Sequence, residues 1–300
     1  WSDDAAIDFN AMQIGEFEAP LIEPRSPETI PDPPPSTLVD VRRKSASGFG
    51  LIGKTQPPSF LGSNNFAIAG SRSIDGRAIL ANDPHLRITA PSTWYRCRME
   101  WPEHELTGLS LPGVPGMVIG TNGHVAIGMT NTTGDFRDNI IIEVDPDNPD
   151  QYRVGDAWEP FDDKMVTLQV RGGEDIELLS RWTRWGPVLG EDDKGRPLAE
   201  LSVPWQPGAV NFALHELADA RTVDDAIDFA RRWYGPSQNV LVADKDGRIG
   251  WVLSGWLPNR QGYDGLEPVS LAQGDRGWFG PLPEDERPMV VDPESGFLFT

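Results

Sequence analysis

The stretch Leu61-Gly62-Ser63-Asn64-Asn65-Phe66 lies at a change in the composition of the chain. Residues 20–58 before it are rich in Pro and irregular in pattern, and such a composition cannot bury enough apolar surface to order itself. We expect an exposed connector there, where backbone cleavage is tolerated. A break before Ser63 would give that residue a free α-amine beside its hydroxyl, and the two groups together would make it a candidate catalyst.

Short apolar runs and turn residues alternate after Ser63. Asp75-Gly76, Asn122-Gly123 and Asp246-Gly247 each lie between two apolar runs. Asp-Gly and Asn-Gly tolerate the positive φ values of a type I′ turn, so each pair predicts a β-hairpin. Three hairpins indicate a domain dominated by antiparallel sheet.

Two segments show helical periodicity. The pattern is modest over residues 1–19 and stronger over residues 222–233, where apolar side chains recur at helical spacing behind Thr222. Asp225 follows Thr222 by three residues, so the two side chains can form a capping box. Because helix and hairpin signals both occur, the sequence predicts an α+β fold with antiparallel pairing favoured.

The charge balance and the cysteine content exclude several kinds of protein. The 300 residues carry a formal net charge of −20, which argues against nucleic acid or an anionic membrane as a partner, because phosphate binding needs clustered Lys and Arg. Cys97 is the single cysteine, so the chain has no internal disulfide and no cysteine metal cluster. No apolar run approaches the roughly 18 to 20 residues that span a bilayer. Since the chain begins without Met and ends on an apolar run, we expect a fragment of a larger protein.

Several common catalytic signatures are absent from the sequence. It contains no Gly-x-Ser-x-Gly elbow, no Walker-type phosphate loop and no dinucleotide-binding Gly-x-Gly-x-x-Gly. The segment His215-Glu216-Leu217-Ala218-Asp219 has Asp where a zinc-protease helix needs its second His, so it is interpreted as a polar helix face.

A series of short blocks follows Gly62 in a fixed order. They are Gly62-Ser63-Asn64-Asn65-Phe66-Ala67-Ile68, Asn82-Asp83-Pro84-His85-Leu86, Leu111-Pro112-Gly113-Val114-Pro115, Gly120-Thr121-Asn122-Gly123, Ile127-Gly128-Met129-Thr130-Asn131-Thr132, Asp135 to Asp138, Asn148-Pro149-Asp150-Gln151-Tyr152, Gly235-Pro236-Ser237-Gln238-Asn239 and Ala243-Asp244. Together they resemble the start of the catalytic subunit in the penicillin acylase family of N-terminal nucleophile hydrolases, particularly the cephalosporin and acyl-homoserine-lactone acylases.

The resemblance implies a fold and a domain organisation. The fold is the αββα sandwich of N-terminal nucleophile (Ntn) hydrolases, with antiparallel sheets and incomplete in this fragment. Residues 1–62 would be the end of an upstream alpha subunit with a Pro-rich linker, and residues 63–300 the N-terminal part of the catalytic beta subunit. The upstream and downstream segments of the protein would be its partners in a processed two-subunit enzyme, located in the periplasm or secreted.

The resemblance also implies a covalent mechanism on Ser63. Its hydroxyl would attack an amide carbonyl while its own α-amine takes the proton, usually through a water. In the uncut chain the Ser63 nitrogen is an amide and cannot act as a base, so the precursor should be inert. Gly62 suits self-cleavage because it has no Cβ. The expected reaction is hydrolysis of a linear, non-peptide amide in an acylated small molecule, with a β-lactam side chain or an acyl-homoserine lactone as candidate substrates.

Four further residues complete the site that the resemblance implies. The Asn239 side-chain amide and the Asn131 backbone N–H would stabilise the oxyanion. His85 would hold the amine and hydroxyl of Ser63, and Arg260 would orient the nucleophile. The structural alternatives are a hydrogen-bonded loop Asn, a turn His and a solvated Arg.

The implied cofactor is calcium, and no organic cofactor is expected. Asp135, Asp138 and the carbonyl of Arg137 match a calcium site of the family, whose hard oxygen donors suit Ca²⁺. A further ligand would come from the upstream subunit. Phe66 and Trp94 are candidates for the acyl pocket, although most strand aromatics belong to the core.

A noncatalytic module is the alternative from another class. The eleven Trp on an acidic, β-rich scaffold would then bind a sugar or a peptide, and the Ser63 region would be structural. An enzyme predicts two bands on a denaturing gel, one beginning at Ser63, whereas the binding module predicts an intact chain. A relative that matures but does not turn over would show two bands and no hydrolysis.

Overall fold

The computed structural model describes residues 62–86, 91–114, 116–211 and 213–300. The helix expected over residues 1–19 and the connector expected over residues 20–58 lie outside these ranges. None of the helices in the described residues is long and apolar enough to cross a membrane.

Within these ranges the chain forms nineteen strands and one α-helix. The strands are β1 (Asn64–Ile68), β2 (Ile79–Asp83), β3 (Tyr95–Trp101), β4 (His104–Ser110), β5 (Ile119–Thr121), β6 (Val125–Asn131), β7 (Arg137–Ile141), β8 (Gln151–Val154), β9 (Ala157–Pro160), β10 (Asp162–Leu168), β11 (Ile176–Thr183), β12 (Gly186–Glu191), β13 (Pro197–Ser202), β14 (Gln238–Asp244), β15 (Ile249–Ser254), β16 (Pro258–Gln261), β17 (Gly277–Pro281), β18 (Met289–Val291) and β19 (Phe297–Phe299). The α-helix is α1 (Val223–Arg232), and 3₁₀ helices lie at Gly70–Arg72, Val203–Trp205, Ala213–Ala218 and Glu284–Glu286.

Antiparallel pairing joins these strands into sheets. A seven-stranded sheet has the order β18-β15-β14-β6-β5-β4-β3, a five-stranded sheet β10-β11-β12-β13-β7, and a three-stranded sheet β19-β1-β2. Two further pairs are β16-β17 and β8-β9. The predicted α+β fold with antiparallel sheets is confirmed.

Two of the three predicted hairpins form where expected, but their turns differ from the prediction. β5 pairs with β6 around Asn122-Gly123, and β14 pairs with β15 around Asp246-Gly247. Only the glycines have positive φ, so the expected type I′ geometry is wrong. The physical reason is a side-chain acceptor: Asn122 Oδ1 accepts from the backbone N–H of His124, 2.9 Å away, and stabilises a different turn.

The third hairpin has a longer connection than predicted. β1 and β2 pair, with Phe66 opposite Ala81, but residues 69–78 connect them instead of a two-residue turn at Asp75-Gly76. The connection folds onto the β14–β15 turn, where the Gly70 N–H donates to the Gly247 carbonyl at 2.8 Å. A Cβ on Gly70 would lie 2.0 Å from the carbonyl oxygen of Gly76, so this close approach requires glycine.

The helix α1 begins as the sequence predicts. Thr222 is its N-cap, with Oγ1 accepting from the Asp225 N–H at 3.2 Å, and Asp225 Oδ2 accepts from the Thr222 N–H at 3.0 Å. This reciprocal pair is the predicted capping box. One face of the helix is buried, and it consists of Val223, Ala226, Ile227, Phe229 and Ala230.

We expect Thr222→Ala to lower the free energy of unfolding by about 1 kcal/mol, because the helix loses the acceptor of its first free N–H groups. Thr222→Ser keeps the hydroxyl and is the matched control, with no expected loss from the cap, because Ser is at least as good an N-cap as Thr. Urea unfolding of the purified protein measures both. Equal destabilisation by Ala and Ser would show that the cap contributes nothing.

The helix and two sheets stack in layers around the strand β14. Val240 and Val242 face the core with α1, whereas Leu241 and Ala243 face the three-stranded sheet, as the two-residue period of a strand requires. Ala67 of β1 packs in the second core. The described residues thus give three layers of the αββα sandwich: helix, seven-stranded sheet and three-stranded sheet. A third core lies on the five-stranded sheet and includes Ile140, Ile142, Tyr152, Ala199, Leu201 and Leu271.

Candidate functional site

Ser63 lies just before β1, at the end of the three-stranded sheet. It is half-buried, and its Oγ donates to the carbonyl of Pro84 at 3.0 Å. Because side chains alternate along a strand, Ser63 shares a face with the buried Asn65 and Ala67. That face points toward the seven-stranded sheet, since Ala67 packs with Leu241 of β14.

Gly62 is exposed and has no special backbone conformation. Its φ is not in the left-handed region, and a Cβ there would meet nothing within 4 Å. The uncut structure therefore does not itself require glycine at this position.

Asn82 ties the strand that follows Ser63 to the seven-stranded sheet. Its Nδ2 donates to the carbonyls of Asn64 and Met129, each at 3.0 Å, and its Oδ1 accepts from the Met129 N–H at 3.4 Å. Because Asn64 is the neighbour of Ser63, this amide fixes the backbone beside Ser63 against β6. Sequence reasoning gave Asn82 no role, although Asn inside a strand is a usable signal because strands are depleted in Asn.

We expect Asn82→Ala to lower the free energy of unfolding by roughly 1–3 kcal/mol, because two carbonyls lose their shared donor. Asn139→Ala is the matched control, since Asn139 is an exposed strand Asn on β7. Thermal unfolding compares the two variants with the wild type. A Tm for Asn82→Ala that equals that of Asn139→Ala would show that the contact is dispensable.

Gly128 makes room for the buried face of β1. A Cβ on Gly128 would lie 2.6 Å from Asn65 Oδ1 and 2.9 Å from Asn82 Cβ. Such contacts do not occur between real Cβ atoms and their neighbours, so the two sheets approach this closely only because residue 128 is glycine.

His85 lies in the turn after β2 and contacts Asp83. Its Nδ1 is 3.0 Å from Asp83 Oδ2, and its backbone N–H donates to Asp83 Oδ1 at 2.8 Å. Its φ of 41° is unusual for a non-glycine residue and stores some backbone strain. Within the described residues, the Ser63 hydroxyl bonds to the carbonyl of Pro84 and not to His85. The role of His85 toward Ser63 stays a prediction.

Asn239 and Asn131 lie on neighbouring strands and touch. Asn239 Nδ2 is 3.2 Å from Thr130 Oγ1 and 3.3 Å from the carbonyl of Asn131. Trp251 Nε1 donates to Asn239 Oδ1 at 3.2 Å, so the oxygen end of this amide faces the indole and its N–H end faces β6. The structure thus brings together the two residues that the resemblance assigns to the oxyanion.

Hydrogen bonds connect this amide to β1, the strand that follows Ser63. From Asn239 the path continues through Thr130 Oγ1 to Thr300 Oγ1, which lie 2.8 Å apart. The Thr300 N–H then donates to the carbonyl of Asn65 at 2.9 Å, two residues after Ser63. Sequence reasoning did not identify Thr130 or Thr300 in this path, because nothing local in the sequence pairs them.

Arg260 on β16 contacts β7. Its Nη2 is 2.8 Å from Asp138 Oδ1 and 2.9 Å from the carbonyl of Asp135. Burial alone would lower the pKa of Arg260, but the hydrogen bonds and charge of Asp138 outweigh it and raise this pKa. Burial and the same anion raise the pKa of Tyr263. Within the described ranges these guanidinium contacts involve neither Ser63 nor Asn239, so an orienting role toward the nucleophile stays a prediction.

The residues expected to hold calcium do not offer a free set of oxygen donors. Asp138 is buried and bonded to Arg260 through both carboxylate oxygens, and the side chain of Asp135 is about half exposed. Arg137 begins β7, and its side chain pairs with Glu200 at 3.4 Å. Among the residues that the structure describes, no group of three or more His, Cys, Asp or Glu is arranged to hold a metal. These contacts do not fit calcium bound through Asp138.

Phe66 and Trp94 do not share the face of Ser63. Phe66 is 45% exposed and alternates with the buried Asn65 and Ala67, so it lies on the outer face of the three-stranded sheet. Trp94 directly precedes β3, the edge strand of the seven-stranded sheet. The structure therefore does not place these two aromatics beside the Ser63–Asn239 face.

The chain is similar to several known acylases. The profile described as penicillin amidase matches residues 5–300. Over 252 residues the chain is 32% identical to acyl-homoserine lactone acylase QuiP of Pseudomonas aeruginosa, and over 242 residues 33% identical to penicillin acylase 2 proenzyme of Pseudomonas sp. strain SE83. These alignments cover 79% and 80% of this chain but 30% and 31% of the relatives, so the chain spans about 30% of their length.

The fold is similar to that of a solved acylase. The structure of a thermostable penicillin G acylase from Alcaligenes faecalis matches with a TM-score of 0.69 and 27% identity. The match covers 79% of this chain and 43% of that chain.

Proposed function

The chain belongs to the penicillin amidase family, and from this premise we propose that the protein hydrolyses the amide bond of an acylated small molecule with Ser63 as N-terminal nucleophile. The observation that carries the proposal is the shared face of Ser63 and Asn239. Asn239 alternates with Leu241 on the face of β14 that packs against Ala67 of β1. Ser63 precedes β1 by one residue, and extending the two-residue period from the buried Asn65 and Ala67 assigns it to the facing side of the three-stranded sheet. The hydrogen bonds through Thr130 and Thr300 fix the two strands relative to each other.

The chemistry assigns one task to each group. Ser63 Oγ attacks the amide carbon, and its proton passes through the α-amine to the leaving nitrogen as the C–N bond breaks. Asn239 Nδ2–H and the Asn131 N–H donate to the oxyanion of the tetrahedral intermediate. Water then attacks the ester on Ser63, releases the acid and returns the proton to the serine oxygen.

Cleavage between Gly62 and Ser63 must precede this chemistry. While Ser63 is bonded to Gly62, its nitrogen is a planar amide without basicity. A relative named penicillin acylase 2 proenzyme supports a processed precursor. The partners in the mature enzyme would be segments of the same protein upstream and downstream of the cut.

Two classes of substrate are candidates, the acyl-homoserine lactones and the penicillins. Relatives of nearly equal identity are named for acyl-homoserine lactones and for penicillin. Location in the periplasm or outside the cell stays a prediction.

Maturation and turnover of the complete reading frame test the proposal. We expect two bands on a denaturing gel, with one N-terminal sequence beginning at Ser63. We also expect the matured protein to release acid from an acyl-homoserine lactone or from a chromogenic acyl amide of the penicillin side-chain type. An intact chain would overturn the enzyme mechanism, and two bands without release from either substrate would indicate a matured relative without turnover.

A further inference from the structure

A carboxylate and a guanidinium form a closed cluster between β7 and the β16–β17 pair. The side chain of Asp138 is 1% exposed and that of Arg260 is 16% exposed. Asp138 accepts from Arg260 Nη2 at 2.8 Å and from Arg260 Nε at 3.0 Å. Its Oδ2 also accepts from Tyr263 Oη and from Trp278 Nε1, each at 2.6 Å.

The other sides of the guanidinium are also occupied. The Asp135 carbonyl accepts from Arg260 Nη2 at 2.9 Å, and the Trp278 ring centroid lies 5.4 Å from the guanidinium carbon. Gly265 covers the pair with φ 82°, and a Cβ there would lie 2.6 Å from Arg260 Nε and 2.8 Å from Asp138 Oδ1. This glycine permits the chain to close over the ion pair.

These contacts leave Asp138 little capacity for a metal. A carboxylate offers about four lone-pair sites, and donors from Arg260, Tyr263 and Trp278 occupy them. Calcium needs about six to eight oxygen ligands, and here it would have to approach an anion already neutralised by a guanidinium.

We propose that Asp138 is the buried counter-ion and positioning residue of Arg260, and that it is not a calcium ligand. The Arg260 guanidinium is the cation that neutralises this carboxylate, where the family resemblance implies a calcium ion. Tyr263 and Trp278 hold Oδ2, which leaves the carboxylate oriented toward Arg260. The strand β7 is then fixed to β16 by an ion pair, without a metal.

Thermal unfolding of the complete, purified protein tests the ion pair. We expect Asp138→Asn and Arg260→Met each to lower Tm by on the order of 5 °C. The first variant leaves Arg260 only the half-exposed carboxylate of Asp135, 3.3 Å from Nη2, and the second leaves the buried Asp138 without a cation. The double variant should lose no more than the worse single variant. Additive losses would overturn the pairing, since residues that act through each other are not additive.

Calcium provides the second arm of the test. We expect the Tm loss of Asp138→Asn to be the same in excess Ca²⁺ and in excess EGTA. A fall in wild-type Tm on adding EGTA that Asp138→Asn abolishes would overturn the proposal, because it would make this carboxylate a metal ligand. Titration calorimetry with CaCl₂ measures the same point, and a site lost in Asp138→Asn would also overturn it.

If Asp138→Asn does not fold, Tyr263→Phe replaces it as the variant that tests the proposal. It removes one donor to Asp138 Oδ2, so Tm should fall by a few degrees with no response to calcium. Tyr95→Phe is the matched control, because Tyr95 is exposed. An unchanged Tm in Tyr263→Phe, or a new rise in its Tm with CaCl₂, would contradict the proposal.

Activity separates positioning from a purely structural role, and this readout alone rests on the proposed function. We expect Asp138→Asn to lower kcat by the same factor as Arg260→Met, with KM unchanged and no further loss in the double variant. Independent losses would exclude positioning through Arg260. The measurements of Tm and of calcium binding do not depend on hydrolysis. A result that overturns the ion pair can therefore be distinguished from one that overturns the proposed function.

Discussion

We expect Ser63→Ala to abolish both the cleavage before residue 63 and the hydrolysis of acyl amides. In the proposed mechanism the Ser63 hydroxyl attacks the Gly62 carbonyl, so without it the chain stays uncut and the α-amine base is never released. Loss of a covalent nucleophile typically costs roughly 10⁴-fold or more in rate. A denaturing gel measures the first effect, and the rate of acid release per mole of protein measures the second.

Two variants serve as controls for this result. Ser63→Cys keeps a nucleophile at the same position, so cleavage should persist even where turnover falls. Ser71→Ala removes an exposed serine from the nearby 3₁₀ helix and should leave both readouts unchanged. Cleavage and turnover of Ser63→Ala at the wild-type level would exclude Ser63 as the nucleophile.

Local sequence signals predicted the elements whose contacts are local. The capping box at Thr222 and Asp225 forms between residues three apart, and the hairpin at Asn122-Gly123 joins adjacent strands. The connection 69–78 could not be predicted in this way. Its path depends on the hydrogen bond between Gly70 and Gly247, which are distant in sequence.

The same limit separates the predicted from the unpredicted part of the site. The resemblance named Asn131 and Asn239, and the pairing of β6 with β14 brings them together. Asn82 reaches Met129 across 47 positions and Arg260 reaches Asp138 across 122, and no periodic pattern encodes such pairs. These contacts appear only once the sheets are packed.

Phe66 illustrates a different limit. It is close to Ser63 in sequence, which made it a candidate for the acyl pocket. A strand places neighbouring side chains on opposite faces, so a separation of three from Ser63 puts Phe66 on the other side of the sheet. Applying the two-residue period from Ser63 would have selected Asn65 and Ala67 instead.

Asn239→Ala should lower kcat by about 10²- to 10³-fold with little change in KM, because the oxyanion exists only in the transition state and the intermediate. This corresponds to about 3–4 kcal/mol of lost transition-state stabilisation. Trp251→Phe should have a smaller effect, because it removes only the bond that orients the Asn239 amide. Steady-state kinetics on the matured variants measures both.

The matched control for Asn239 is its neighbour in the strand. Gln238 also carries a side-chain amide, but alternation puts it on the opposite face of β14, where its Nε2 contacts Asn131 Oδ1 at 3.1 Å. We therefore expect Gln238→Ala to mature and to keep kcat within a few-fold of the wild type. If Asn239→Ala lowered kcat no more than Gln238→Ala, the oxyanion donor would have to be another group. If Asn239→Ala stayed uncut while Gln238→Ala matured, the same amide would also stabilise the oxyanion formed at Gly62 during cleavage, because both reactions pass through a tetrahedral intermediate on Ser63.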